Sequence, residues 1–341
     1  MRVETVTEYV SGDLIQAAAR ESRDLQAPNP FIYWCDLVAS VSIGYGALAV
    51  LILSEPPLLK LGAGVVAVLA LYRCISFIHE LTHIKAGALP GFRIAWNLLI
   101  GVPLLLPSFL YEGVHSLHHA KTRYGTEEDP EYLPLAHMGP FSVPLFLLVS
   151  LLAPLALLLR FAILAPLSLV VPGLRKIVVA QASAMTISPT FKRKPPEGRD
   201  WIFWEAAASL WAITAITLAV TGVIAPSQWI VLLGVVSAVA FLNQLRTLVA
   251  HLWENDGGQM TITAQYLDSV NVPGGFLPEL WAPVGLRYHA LHHLLPGIPY
   301  HALPKAHRRL IAALPDGSEY HRANYAGLLR LTWRLMRAGW R

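Results

Sequence analysis

Four places along the chain carry histidines at spacings that suit metal ligation: His79-Glu-Leu-Thr-His83, His115-Ser-Leu-His118-His119, the single His251, and His289-Ala-Leu-His292-His293. On a helix, residues i, i+3 and i+4 share a face, so each cluster can aim two or three imidazoles at a common point. Nine imidazoles far exceed what one tetrahedral zinc can use, whereas two metals share them comfortably. Imidazole suits iron, zinc, copper and nickel alike, so the ligand type alone leaves the metal open. Ring nitrogens on a metal usually have their second N–H held by a carboxylate or carbonyl; Glu80, Glu112, Asp129, Glu254, Asp256 and Asn255 are the candidates for that task. The other four histidines, His137, His301, His307 and His321, are expected as surface or capping residues.

Elements that could bring such distant residues together are visible in the composition. Of 341 residues, 55% are hydrophobic and only 14% charged, against about a quarter charged in ordinary soluble domains. The mean hydropathy is +0.49, and the apolar residues are bunched into runs of roughly 20, the length of a membrane-spanning helix. Runs at about 33–54 and 58–78, joined by a turn at Glu55-Pro56-Pro57, predict one helical hairpin ending at the first histidine motif. Runs at 201–224 and 229–250 predict a second hairpin ending at His251. Two Pro-containing stretches, 94–110 and 140–171, are expected as re-entrant or interfacial helices, the second carrying a central Arg160. The fold class is therefore all-α integral membrane: four transmembrane helices in two hairpins, interfacial helices, and a cap over 251–341 bearing the last histidines, all in one domain. Near the end of the fourth span, Arg246 would cost about 2–3 kcal/mol in hydrocarbon, so it is expected to face the site or reach the interface.

Basic residues cluster in the loops on the histidine side (Arg93, Lys121, Arg123, Arg175, Lys176, Lys192, Arg193, Lys194, Arg199), with only Lys60 near the opposite turns. The positive-inside rule puts the histidine side, both termini and the 1–30 segment in the cytoplasm. The net charge of +4 is then a topology signal; a nucleic-acid binder would show a basic stripe on a soluble domain. Cys35 and Cys74 lie in or beside apolar runs and are expected as small packing residues. No cleavable signal peptide is visible in the first 26 residues.

The order H-x-x-x-H, H-x-x-H-H, a single His at the end of a span, then H-x-x-H-H resembles the membrane fatty acid desaturase and hydroxylase superfamily over His79 to His293. The tract from Asn243 to His251 and the following Glu254-Asn255-Asp256-Gly257 are similar to bacterial acyl-lipid desaturase-like proteins. The resemblance implies two iron ions held by His79, His83, His115, His118, His119, His251, His289, His292 and His293, with O₂ as co-substrate and a fatty acyl lipid or free fatty acid threaded beneath them. It also implies a bacterial inner-membrane location and an external electron donor such as ferredoxin or rubredoxin with its reductase; no fused haem or iron–sulfur segment is expected. Two features depart from the acyl-CoA enzymes of the family: the first box has three intervening residues rather than four, and Thr247 stands where those enzymes place an Asn that holds a metal-bound water. Glu80 and Thr247 are thus candidate supporting residues of the site. Desaturation is the leading reading; hydroxylation and decarboxylation to a terminal alkene share the same scaffold, because the outcome depends on which carbon sits near the metal.

Two readings from other classes compete. His79-Glu80-x-x-His83 alone fits the zinc-protease helix, with Glu80 as general base and Asp256-Gly257 as a distal ligand. A haem-carrying electron-transfer protein would instead need facing single histidines at mid-membrane depth. The protease leaves both H-x-x-H-H triplets unexplained, and the haem protein does not need triplets at helix ends.

Overall fold

The structure, a computed structural model, describes residues 14–339; the start of the expected cytoplasmic N-terminal segment (1–13) and the last two residues of the cap lie outside the described residues. Within them the chain is helical, with isolated β-bridges and no strands. The first hairpin is α1 (Pro30–Leu53) and α2 (Pro57–His83). Asn29 caps α1 by accepting from the amides of Phe31 and Ile32, and Pro30 sits at the first helical position, where its missing N–H costs nothing. A second proline start, Pro57, turns the chain back after three residues. The two helices approach closely at Gly44, where a Cβ would lie 2.9 Å from Leu71 Cδ2.

The second hairpin is α4 (Asp200–Val220) and α5 (Pro226–Leu248), the latter packed on α2. Helices of 21–27 residues are at least about 30 Å long at 1.5 Å per residue, enough for a bilayer core. Their outward faces carry bare apolar side chains: Leu58 is 84% exposed and Val220 81%. Such surface is stable in lipid and would be a large liability in water. Cys74 is buried, whereas Cys35 is exposed on α1 rather than packed, and neither forms a disulfide.

Between the hairpins, Ser142–Val170 (α3) forms a continuous helical stretch of 29 residues that passes through 3₁₀ and π segments near its prolines. By length and composition it is a fifth helix able to cross a membrane, where four were expected. Its neighbours show where it packs. At its start, Phe146 packs on Trp253, just beyond His251. Its Leu151 carbonyl accepts from Ser237, the midpoint of α5. By Arg160 it has reached Glu205, in the second turn of α4 and again at the histidine end. α3 therefore packs along the histidine-side halves of α5 and α4. Asn97–Gly101 is a π turn pinned by Asn97, whose side chain both donates to Ser108 Oγ and accepts from its amide.

Arg160 is buried and held by Glu205 Oε1 at 2.5 Å and by the Ala182 carbonyl, while Arg175 takes the other carboxylate oxygen at 2.7 Å. Removing the carboxylate leaves an uncompensated guanidinium, a loss of about 3–5 kcal/mol. Glu205→Ala should therefore lower the unfolding midpoint in detergent sharply and Glu205→Gln less, as read by a thermal-shift assay; equal midpoints for Ala and wild type would contradict this account.

Candidate metal centre

α2 and α5 end side by side and deliver His79, His83 and His251 to one side of the bundle, as their apolar runs suggested. Two single-turn helices, His115–His118 and His289–Leu294, bring the triplets. All nine predicted histidines converge, in two groups whose ring nitrogens lie within 4.8 Å of one another: His79, His83, His115, His119 and His292 in one, His118, His251, His289 and His293 in the other. The triplets do not each aim at a single point. In both, the i and i+4 imidazoles serve one group and the i+3 imidazole crosses to the other, so each His-His dipeptide straddles the two groups.

Within the groups, His115 and His119 bring their Nε2 atoms to 2.9 Å, His119 and His292 to 3.2 Å, His251 and His289 to 3.0 Å, and His289 and His293 to 3.1 Å. Nitrogens about 2.0–2.1 Å from a metal are roughly 3 Å apart at right angles and roughly 3.4 Å apart in a tetrahedron. Both the spacing and a five-nitrogen group point to coordination above four. Both nitrogens of His79 and Nε2 of His83 are buried with no hydrogen-bond partner, an expensive arrangement that a bound cation relieves. A macrocycle has no room between rings this close, which disposes of the haem reading.

The outward nitrogens are fixed by acids and hydroxyls. His118 Nδ1 lies 2.9 Å from Asp129, which also accepts from the amides of Gly125 and Glu131. His115 Nδ1 lies 2.9 Å from Glu131, whose other oxygen accepts from Tyr111 at 2.6 Å. His251 Nδ1 lies 2.8 Å from the Tyr124 hydroxyl, which donates to Asp268 at 2.8 Å. These bonds leave Nε2 of each ring facing the centre. Burial, with repulsion between the rings, holds the pKa of His115, His119, His251, His289, His292 and His293 well below the usual histidine range. They are neutral, with lone pairs available. For His118 burial also pushes down, but the Asp129 carboxylate outweighs it and raises the pKa.

Of the six residues proposed to orient the rings, only Asp129 does so. Glu80 is turned to the Tyr33 hydroxyl and to the Tyr300 amide at 3.2 Å, so it is placed neither to orient a ring nor to act as a protease base. Glu112 pairs with Arg93, Glu254 with Arg334, and Asp256 is exposed and accepts from the Gly258 amide. Asn255 donates to the Gly125 carbonyl and so ties down the loop that carries Asp129. Gly125 has φ +71°, and a Cβ there would meet Asn255 Nδ2 at 2.5 Å, so glycine is required. Glu131, Tyr111, Tyr124 and Asp268 escaped the sequence reading; Glu131 stands two residues from Asp129 in a run of acids that reads as solvated charge. His301 accepts from the Asn29 amide and His307 pairs with the Tyr320 hydroxyl, away from the cluster. Arg193, counted among the loop cations, is buried and donates to the carbonyls of Phe109, Ser183 and Glu112, bracing the segment before the second box.

Beneath the imidazoles lies a cavity of about 420 Å³. His79, His118, His251 and His289 form its upper wall; Ile75, Leu157, Val236 and Val239 line its apolar part; Asn243, Gln244, Arg246 and Thr247 supply a polar band. Thr247 thus faces the cavity, as does Arg246, rather than reaching for the interface.

The chain matches the family model described as "Fatty acid desaturase" over residues 55–325. It is 49% identical over 328 residues to a ceramide hydroxylase of Caulobacter vibrioides (strain NA1000 / CB15N), covering 95% of this chain and 93% of that protein. No solved structure matches it. A membrane scaffold that gathers nine imidazoles over a lipid-sized cavity is thereby placed among known proteins: the chain belongs to the fatty acid desaturase family.

Proposed function

We propose that this protein is a di-iron hydroxylase that inserts one oxygen atom from O₂ into a C–H bond of an N-acylated sphingoid lipid, at the cytoplasmic face of a bacterial inner membrane. The observation that carries the reading is the pair of imidazole groups over an apolar cavity, in a chain 49% identical to a protein named ceramide hydroxylase. That similarity favours hydroxylation over the desaturation that the histidine pattern first suggested. The nine histidines suit iron: imidazole nitrogen donors, spacings that suit more than four ligands, and buried ring nitrogens without partners.

Two irons held there would supply the oxidising power to break an unactivated C–H bond. The net reaction, RH + O₂ + 2e⁻ + 2H⁺ → ROH + H₂O, needs two electrons, which we assign to an external donor such as ferredoxin or rubredoxin with its reductase. The chain itself contributes position and dryness. The apolar wall holds a hydrocarbon tail in place, and the burial of the rings keeps bulk water from the reacting atoms. Asp129 and Glu131 fix the rings of His118 and His115 and supply the negative charge that an all-imidazole set lacks. The whole chain acts as one membrane domain, with 251–341 closing the site from the cytoplasmic side.

Two measurements test this. Purified protein should contain about two irons per chain, one per imidazole group, and Asp129→Asn should weaken metal retention about 10–100-fold, read by metal analysis after graded chelation; one tightly held zinc would instead revive hydrolytic readings. Cells expressing the protein with a compatible donor under ¹⁸O₂ should accumulate a sphingolipid bearing one ¹⁸O, absent with His118→Ala. A new double bond without oxygen would overturn hydroxylation.

A further inference from the structure

One charged group in the cavity is not used by the metal centre. Arg246 is 9% exposed, forms no salt bridge among the described residues, and its Nε is buried with no hydrogen-bond partner. It lines the cavity together with Asn243, Gln244 and Thr247. The band lies close to the metals, since His251 is five residues further along the chain. The apolar wall runs the other way: Val236, also in the lining, is ten residues earlier on α5 and so about 15 Å deeper.

The Tyr72 hydroxyl and the Glu131 carboxylate, the latter also in the lining, lie near the guanidinium, but its buried Nε has no partner, and a cavity filled with hydrocarbon would leave that donor dehydrated and unmet. The occupant must therefore carry an acceptor oxygen at the level of Arg246, with its tail directed down toward Val236. We propose that Arg246 is the substrate-binding and position-determining residue: it binds an oxygen at the head of the acyl chain and so directs hydroxylation to a carbon near that head rather than to mid-chain. This rests on the reading of the protein as a lipid hydroxylase. The same recognition could be met by the amide oxygen or hydroxyl of an N-acyl lipid or by the carboxylate of a free fatty acid. A lipid threaded past the metals with its head elsewhere would leave the arginine in contact with methylenes.

The test uses full-length, iron-loaded protein in lipid nanodiscs, as wild type, Arg246→Met and Arg246→Lys. Binding of N-palmitoyl-sphinganine, palmitic acid and hexadecane is measured by native mass spectrometry, iron is counted, and the wild-type product is mapped by tandem mass spectrometry. Arg246→Met should weaken N-palmitoyl-sphinganine binding at least about tenfold, the worth of a lost charge-assisted hydrogen bond, with iron content and hexadecane binding unchanged. Arg246→Lys should recover part of the loss. The wild-type hydroxyl should fall within about four carbons of a head oxygen, since reacting atoms must come within about 3–3.5 Å.

Unchanged N-palmitoyl-sphinganine binding in Arg246→Met, an equal loss for all three probes, loss of iron in both variants, or a mid-chain hydroxyl would each overturn the assignment. A mid-chain hydroxyl would still leave the hydroxylase reading intact. Arginine-dependent binding of palmitic acid alone would keep Arg246 as the head-group residue and sink the N-acyl substrate; wild type that binds no oxygen-bearing probe would sink both.

Discussion

The structure depends on a crowding that is unfavourable by itself: nine imidazoles in two groups, their inward nitrogens directed at shared centres and largely shut off from water. Ring nitrogens about 3 Å apart cannot all find protons to share, and several are left with no partner. A cation at each centre turns this repulsion into coordination. Until then the surrounding fold must hold the rings in place, and much of the polar architecture is explained by that demand.

The braces come from every side of the cluster. Asp129, Glu131 and Tyr124 hold the outer nitrogens of three rings. Asn271, fully buried, accepts from the Leu291 amide and donates to Asn324, which pins the third box to the C-terminal segment. Tyr300 joins the cap to the first hairpin by donating to Asp36 at 2.7 Å, and Asp36 in turn is held by Arg73. Glu80 belongs to this same strut through Tyr33 and the Tyr300 amide, so a carboxylate beside two candidate ligands serves to anchor the cap. These buried polar contacts are costly to break singly, which makes the cap and the two hairpins one mechanical unit around the histidines.

What the sequence made legible follows from how local each signal is. The i, i+3, i+4 rule and the apolar runs are short-range, and they located the histidine clusters, both hairpins and the common side. The orienting residues were less visible, because a buried Glu131 and an exposed Glu254 look alike in a string, and only tertiary packing tells them apart. Asp129 was found; Tyr124 reaches His251 across 127 positions and could not have been. Ser142–Val170 was expected as a re-entrant or interfacial stretch because of its prolines and Arg160, yet it is a continuous helix long and apolar enough to cross a membrane, and Glu205, which neutralises that arginine, lies 45 residues on. The splitting of each triplet between two centres was also hidden. Helical geometry says which side chains share a face, and the two centres lie close enough that one face serves both.

An all-nitrogen metal site of this kind does not itself choose between desaturation and hydroxylation. The two outcomes begin with the same C–H bond and differ in what the neighbouring carbon can reach next. A site that binds only hydrocarbon lets the chain slide, whereas a polar contact near the metals fixes the register of every carbon relative to the reacting atoms. In this protein the cavity carries such a contact: a buried arginine in a band with an asparagine, a glutamine and a threonine, set between the imidazoles and the apolar wall. Control over the outcome is therefore to be sought in the cavity, with the histidine boxes supplying a reactivity common to all the reactions this scaffold could perform.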